Sequence, residues 1–312
     1  MDAQLKIFAG NSHPKLAESI CEHLGIQLSR SHTIQFSNEN FLVQIDENVR
    51  ECDVFVVQTS CSPVHDNLFE LLMMIDALKS ASAARITAVL PYFPYVRSDK
   101  KDRPRIGITA RLVSDLIETA GADRILTMDL HSPQIQGFFR VPSDQLLGAG
   151  PLCERLLRDD LSDWVLVAAD AGEAKDIGHY ANKLNRPFAI IDKRRYSDNE
   201  NPVAENLIGD VDGKVAVVVD DEIASGGTLC EAAAFLKEHG ATKVLAVATH
   251  AVFSGTARDR INSADIDGLL VTNTLPVPPE RCPDNTEVIS VAELFAKAIS
   301  RIHDGRSVSA LF

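Results

Sequence analysis

Short apolar runs rich in β-branched residues recur along the chain, each followed by a stretch whose apolar positions return at helical spacing. LKIFAG gives way to PKLAESICEHLG, DVFVVQTS to NLFELLMMIDALKSA, and RITAVLPYF follows. Short apolar runs bounded by turn residues predict buried strands, and the longer periodic stretches predict helices. Strand and helix in alternation is the pattern of parallel strands joined by crossover helices, so the fold class is α/β. The alternation starts again in the second half, through WVLVAAD, HYANKLN, PFAIID, KVAVVVDD, LCEAAAFLKEHG and KVLAVATH. Two α/β domains are expected, each a mainly parallel sheet flanked by helices.

The stretch GAGP, Gly148 to Pro151, interrupts the pattern and places the boundary, giving domains 1–148 and 149–312. A helix from Pro151 to Leu157 is expected at the crossing. AGADRILTMDLH (Ala120 to His131) and HGATKVLAVATH (His239 to His250) share Gly-Ala, a basic residue, an apolar strand and a terminal His. An ancient duplication accounts for this echo, and so does the common habit of leaving a helix through a glycine C-cap.

With 312 residues the chain has room for two cores, and its balance of apolar and charged residues is that of a globular protein. The formal charge of -13 argues against nucleic acid as a partner, because that binding relies on basic side chains displacing counterions. Two basic islands stand out: Arg97, Lys100, Lys101, Arg103 and Arg105, and then Lys193, Arg194 and Arg195. Either is solvated surface charge or a place for a small phosphorylated ligand. The six cysteines are scattered without C-x-x-C or zinc-like spacing, so a reducing cytoplasm is the expected compartment. MDAQLKIFAG lacks the features of a signal peptide and no apolar run is long enough to span a bilayer, so the mature chain is expected to start at Met1, away from membranes.

The most informative segment is KVAVVVDDEIASGGTLCEAAAFL. It predicts an apolar strand ending in Asp220 and Asp221, a Ser-Gly-Gly-Thr turn, and a helix beginning near Thr228. A glycine-containing turn lets successive backbone N–H groups face one concavity, and the helix adds its positive dipole end, so a phosphate monoester fits there. The hydroxyls of Ser225 and Thr228 add donors. The two acids, at the carboxyl end of a strand where open α/β sheets bind ligands, suit vicinal sugar hydroxyls. Phosphate and diol together describe ribose 5-phosphate. A Walker loop is excluded, since no Lys follows these glycines, and the dinucleotide fingerprint puts its glycines ahead of the acid.

VVVDDEIASGGT resembles the phosphoribosyl-diphosphate loop of phosphoribosyltransferases and ribose-phosphate pyrophosphokinases, and the rest of the chain resembles the pyrophosphokinases. The matching pieces are KIFAGNSHPKLAESI, FSNEN, DNLFELLMMIDALK, RITAVLPYFPYVRSDKKD, ITARLVSDLIETAGADRILTMDLHSPQIQGFF, DAGEAK, VATHAVFSG and SVSALF. The resemblance implies two phosphoribosyltransferase-like domains and transfer of the diphosphoryl group of ATP to the anomeric hydroxyl of ribose 5-phosphate. It implies ribose 5-phosphate binding by Asp220, Asp221, Ala224, Ser225, Gly226, Gly227 and Thr228. It implies ATP binding by Phe36, Asn38, Glu39, Asn40, Arg97 and Ser98, the Phe36 ring stacking on adenine and the Arg97 fork meeting phosphate oxygens. It implies Mg2+ as cofactor, with His131 and Asp170 as metal residues. Members commonly form hexamers from dimers, so a homo-oligomer is expected, and many respond to phosphate and ADP at an interface site whose equivalents here are Arg50, Ser82, Gln136, Ser307 and Ser309. The chain departs from the family's usual residues at Asn40, Ser98, Asp176 and Ala224.

IIDKRRYSDNENP begins as a strand and decays into a polar, proline-ended loop. In the resembled family this loop closes over the reacting phosphates. Attack of the anomeric oxygen on the β-phosphorus builds negative charge that positioned cations stabilise, which makes Lys193 and Arg195 the catalytic candidates. Two alternatives stand beside this reading. A phosphoribosyltransferase shares DDEIASGGT but has no need of FSNEN, PYVR or the KRR loop. A non-catalytic regulatory subunit has no need of Lys193, Arg195, His131, Asp170 and the acid pair.

Overall fold

The structure, a computed structural model, describes residues 3–170, 177–194 and 203–312, without the side chains of 193–194 and 203–205. The chain divides into two compact units: Met1–Leu147 with Thr274–Pro276 and Val291–Phe312, and Gly148–Asn273 with Val277–Ser290.

The first unit runs β1 (Leu5–Ala9), α1 (Pro14–Leu24), β2 (Ser31–Gln35), β3 (Phe41–Ile45), β4 (Asp53–Val57), α2 (Val64–Ser80), β5 (Arg85–Leu90), α3 (Thr109–Ala120), β6 (Arg124–Met128) and β7 (Ser143–Leu146). Strands β1-β4-β5-β6-β7 form one sheet, parallel at every pairing. The antiparallel pair β2-β3 stands as a separate two-stranded sheet. A continuous apolar run is what a strand covered on both faces needs, and all five residues of β4 are buried. Pro14 opens α1, and Gly25 closes it in the left-handed conformation, donating to the Glu22 carbonyl.

The second unit adds α4 (Ala149–Leu156), β8 (Trp164–Ala168), α5 (Ile177–Leu184), β9 (Phe188–Arg194), β10 (Val203–Ile208), β11 (Val215–Ile223), α6 (Gly227–Glu238), β12 (Lys243–Ala251), α7 (Ala257–Asn262), β13 (Gly268–Thr272) and β14 (Thr286–Ile289). Its sheet has the order β10-β9-β8-β11-β12-β13-β14, with only the edge strand β10 antiparallel to its neighbour. Strands β8-β11-β12-β13-β14 thus repeat the plan of β1-β4-β5-β6-β7 in chain order and in sheet order. The sequence echo does not mark this repeat. It pairs β6 with β12, the fourth strand counted from β1 with the third counted from β8. What the two segments share is a helix exit through a positive-φ glycine, Gly121 after α3 and Gly240 after α6.

The last helix, α8 (Ala292–His303), differs from a single cut near residue 148, because it returns to the first unit. Phe295, Ile299 and Ile302 are buried among Leu16 and Ile20 of α1 and Phe55 of β4. Asp53, nearly fully buried, fastens it: its carboxylate receives Arg85 Nε at 2.8 Å and lies 2.7 Å from His303 Nδ1, and Arg85 also donates to the Ile302 carbonyl at 3.0 Å. Sequence spacing cannot reveal a helix that recrosses to an earlier sheet.

Among the described residues no helix is long and apolar enough to cross a membrane. All six cysteines are free thiols. Burial pushes the thiols of Cys21 and Cys153 up to about 11, which suits packing residues rather than reactive ones.

Candidate active site

The residues expected to meet the purine lie together at the tip of the β2-β3 hairpin. Phe36 N donates to the Asn40 carbonyl at 2.8 Å, and Glu39, at φ 67, donates back to the Phe36 carbonyl at 2.9 Å. Asn40 N donates to Asn38 Oδ1 at 3.3 Å. The Phe36 ring is 47% exposed, so it is not a core residue, and Asn38, Glu39 and Asn40 are exposed beside it.

Arg97 and Ser98 lie in the connection from β5 to α3. A cavity of about 350 Å3 there is lined by Tyr92, Tyr95, Arg97, Ser98, Lys100 and Asp102, among others. Ser98 anchors the connection. Its Oγ accepts from Thr109 N at 3.2 Å and its carbonyl from Ala110 N at 3.2 Å, serving two of the amides that the first turn of α3 leaves open. The Arg97 side chain is exposed. His131, also exposed, follows β6, the strand beside β5, so it shares the C-terminal sheet edge with this loop. Asp129, two residues earlier, holds φ 32, a conformation uncommon outside glycine. Of the expected regulatory positions, Ser82 has φ 66 and its carbonyl accepts from Glu51 N, next to Arg50, while the Ser307 carbonyl accepts from Arg301 Nη1.

In the second unit the strands end at different heights. Pairing of β8 stops where Ala168 meets Val219 of β11 on one side and Ile190 of β9 on the other. Beyond that level β11 continues through Asp220 and Asp221 to Ile223, and β9 continues through Lys193 to Arg194. The result is a notch in the sheet. Lys193 stands on one wall, Asp220 and Asp221 on the other, and Asp170 just past the end of β8 between them. The Lys193 side chain, Arg195, Asp176 and residues 171–175 of DAGEAK lie outside the described residues.

Next to the notch, β11 turns into α6. The helix starts at Gly227, and Gly226, its N-cap, has φ 75; Ser225 and Thr228 are exposed. A Cβ built on Gly226 would lie 2.9 Å from Ile261 Cγ1, so position 226 needs glycine for conformation and for space. One residue here was not singled out in the sequence: Arg260 of α7, whose Nη1 donates to the Ser225 carbonyl at 2.9 Å. Its signal in the sequence was the second arginine of ARDRIN, but nothing there showed that α7 lies under the loop.

Two α/β units of one plan, the second ending its second strand in an acid pair and a glycine cradle at a helix start, define a phosphoribosyltransferase-like enzyme that handles phosphorylated pentoses. The comparisons make this specific. Residues 5–121 match the N-terminal domain of ribose phosphate pyrophosphokinase, and residues 196–312 match the phosphoribosyl synthetase-associated domain. The ribose-phosphate pyrophosphokinase of Caldanaerobacter subterraneus is 52% identical, with 99% of this chain and 98% of that one covered, and that of Deinococcus radiodurans is 48% identical with the same coverage. The crystal structure of phosphoribosylpyrophosphate synthetase from Mycobacterium smegmatis superposes with a TM-score of 0.91 at 40% identity, over 97% of this chain and 99% of that one.

The chain belongs to the ribose-phosphate pyrophosphokinase family. It is a diphosphotransferase that moves the diphosphoryl group of ATP to the anomeric hydroxyl of ribose 5-phosphate, which favours the catalytic reading over a regulatory subunit or a phosphoribosyltransferase.

Proposed function

We propose that the notch in the second unit is where the chemistry takes place, an assignment carried by the early end of β8 between two longer strands. Ribose 5-phosphate sits with its phosphate on the amides of residues 225–228 and its ring hydroxyls toward Asp220 and Asp221. Ala224 adds main-chain contact only. The anomeric oxygen attacks the β-phosphorus of ATP, the bond from that phosphorus to the bridging oxygen breaks, AMP leaves with that oxygen, and the hydroxyl proton passes to solvent. Lys193, followed by Arg195 in the same segment, supplies positive charge where the phosphoryl oxygens gain negative charge.

ATP is read by Phe36, Asn38, Glu39 and Asn40 through its base, and by Arg97 through its phosphates, with Ser98 at the root of that loop. Among the described residues no three His, Cys, Asp or Glu side chains are grouped to hold an ion by themselves. Magnesium keeps several waters and is commonly bound through one or two carboxylates plus substrate phosphates. Asp170 fits this role in the second unit, and His131 is the metal residue proposed in the first. The ion would neutralise charge on the ATP phosphates. The cytoplasm and a homo-oligomer, hexameric from dimers, complete the reading as the resemblance to the family implies; six free thiols suit a reducing compartment.

The test is Lys193→Ala in a coupled assay of AMP release from ATP and ribose 5-phosphate. Loss of one such donor costs about a hundred- to a thousandfold in turnover, with binding of both substrates retained. Near-normal turnover in that variant removes the catalytic assignment.

A further inference from the structure

We propose that Arg260 is a positioning residue for the sugar-phosphate loop and sets the affinity for the phosphate ester without touching the reacting atoms. The inference rests on the assignment of residues 225–228 to the ribose 5-phosphate group. In a nest of amides the intervening carbonyls must be engaged elsewhere, or they turn toward the anion and repel it. The structure shows how each carbonyl leading into this nest is held. The Ile223 carbonyl accepts from Phe253 N at 3.0 Å, the Ala224 carbonyl from Ser254 N at 2.9 Å, and the Gly226 carbonyl from Cys230 N at 2.9 Å. Ser225 is the exception, because its carbonyl is held by a side chain, Arg260 Nη1, at 2.9 Å. It is the one link in the set that a substitution can remove without disturbing the backbone.

The platform that carries Arg260 is built for a fixed position. Phe253, buried and at φ 41, turns the chain out of β12, a conformation that a bulky residue holds only where its surroundings enforce it. Ile261 is 2% exposed and closes on Gly226. Cys230 Sγ of α6 donates to the Arg260 carbonyl at 3.7 Å, so α6 and α7 clasp each other at the point where the guanidinium reaches the loop. That guanidinium lies near the phosphate position: a Cβ on Gly227 would be 3.5 Å from Arg260 Nη1. The side chain is exposed, so replacing it leaves the core intact.

Calorimetric titration of the full-length protein with ribose 5-phosphate, in the presence of magnesium and a non-hydrolysable ATP analogue, tests the proposal together with steady-state kinetics. Arg260→Met keeps the stem and loses donor and charge. It should weaken ribose 5-phosphate binding by about ten- to a hundredfold, the usual weight of a hydrogen bond to a charged group, and raise its KM in step. The kcat and the KM for ATP should stay within about twofold of the parent values, the margin we take as unchanged. Arg260→Lys, which restores a charged donor, should recover most of the loss. Equal affinity in Arg260→Met and the parent overturns the inference, and so does a fall in kcat or ATP affinity as large as the fall in sugar-phosphate affinity. If the unaltered protein takes up no ribose 5-phosphate, the loop assignment itself is what fails.

Discussion

The connection from β4 to α2 and the connection from β11 to α6 leave the second strand of equivalent five-strand arrangements, yet they are built in opposite ways. The first, QTSCSP, has no glycine and is filled by its own side chains. Gln58, Thr59 and Ser60 are buried. Ser12 Oγ takes the Thr59 amide at 2.8 Å, and the Gln58 amide donates to the Asn67 carbonyl at 3.0 Å and to Glu70 Oε2 at 2.7 Å. The second, ASGGT, has its carbonyls fixed from below and leaves the hydroxyl-bearing Ser225 and Thr228 exposed. One topology therefore yields a solid corner in one unit and a ligand cradle in the other. What decides between them is whether the loop's donors are consumed inside the protein.

The hub of the solid corner is Glu70, 4% exposed. Its carboxylate accepts from Asn11 N at 2.9 Å, Asn11 Nδ2 at 2.6 Å, Thr33 Oγ1 at 2.6 Å and Gln58 Nε2 at 2.7 Å. Glu70→Ala strands the buried Gln58 amide and removes three further part-buried bonds to Asn11 and Thr33. Since one unsatisfied buried group costs about 1–3 kcal/mol, the first unit should lose on the order of 3 kcal/mol or more. Chemical denaturation measures this, and ribose 5-phosphate affinity should be unchanged. A protein that keeps its stability but loses sugar-phosphate binding would break the division between corner and cradle.

Gly226→Ala attacks the cradle instead. The left-handed conformation costs a non-glycine residue about 1–2 kcal/mol, and the new methyl must displace Ile261. Ribose 5-phosphate affinity should fall at least about tenfold, corresponding to about 1.4 kcal/mol, with a smaller loss of stability than in Glu70→Ala. Unchanged affinity would show that the turn's conformation is not what holds the phosphate.

Much of this division is legible in the amino-acid sequence. The apolar runs form strands, LKIFA at β1 and VAVVVDDEI at β11 among them, because a strand covered on both faces needs a continuous apolar sequence. The cradle is legible because a φ above zero at the turn, here at Gly226, demands glycine. The sheet notch is not, since it depends on β8 ending before its neighbours, and pairing register is a property of two strands and not of one. Arg260 is hidden for a similar reason: the hydrogen bond to Ser225 spans 35 positions. The β6-β12 echo misleads about the repeat because glycine helix exits recur wherever a helix feeds a strand.

The smallest predicted effect sharpens the comparison one connection further on. In the second unit the connection from β12 to α7 donates two backbone amides to the cradle, through Phe253 and Ser254. In the first unit the corresponding connection, from β5 to α3, is longer, and Ser98 ties it to the first turn of α3 through its hydroxyl and its carbonyl. Ser98→Ala removes only the hydroxyl link, the part equivalent to a helix cap, and caps contribute about 1 kcal/mol. Stability should drop by that amount in chemical denaturation, and Ser98→Thr should restore it. The ATP KM rises only so far as Arg97 loses its anchored neighbour. If Ser98 acted instead by touching the nucleotide alone, alanine would raise the ATP KM and leave the denaturation midpoint where it was, so the two measurements on one variant separate a residue that holds the loop from one that reads the ligand.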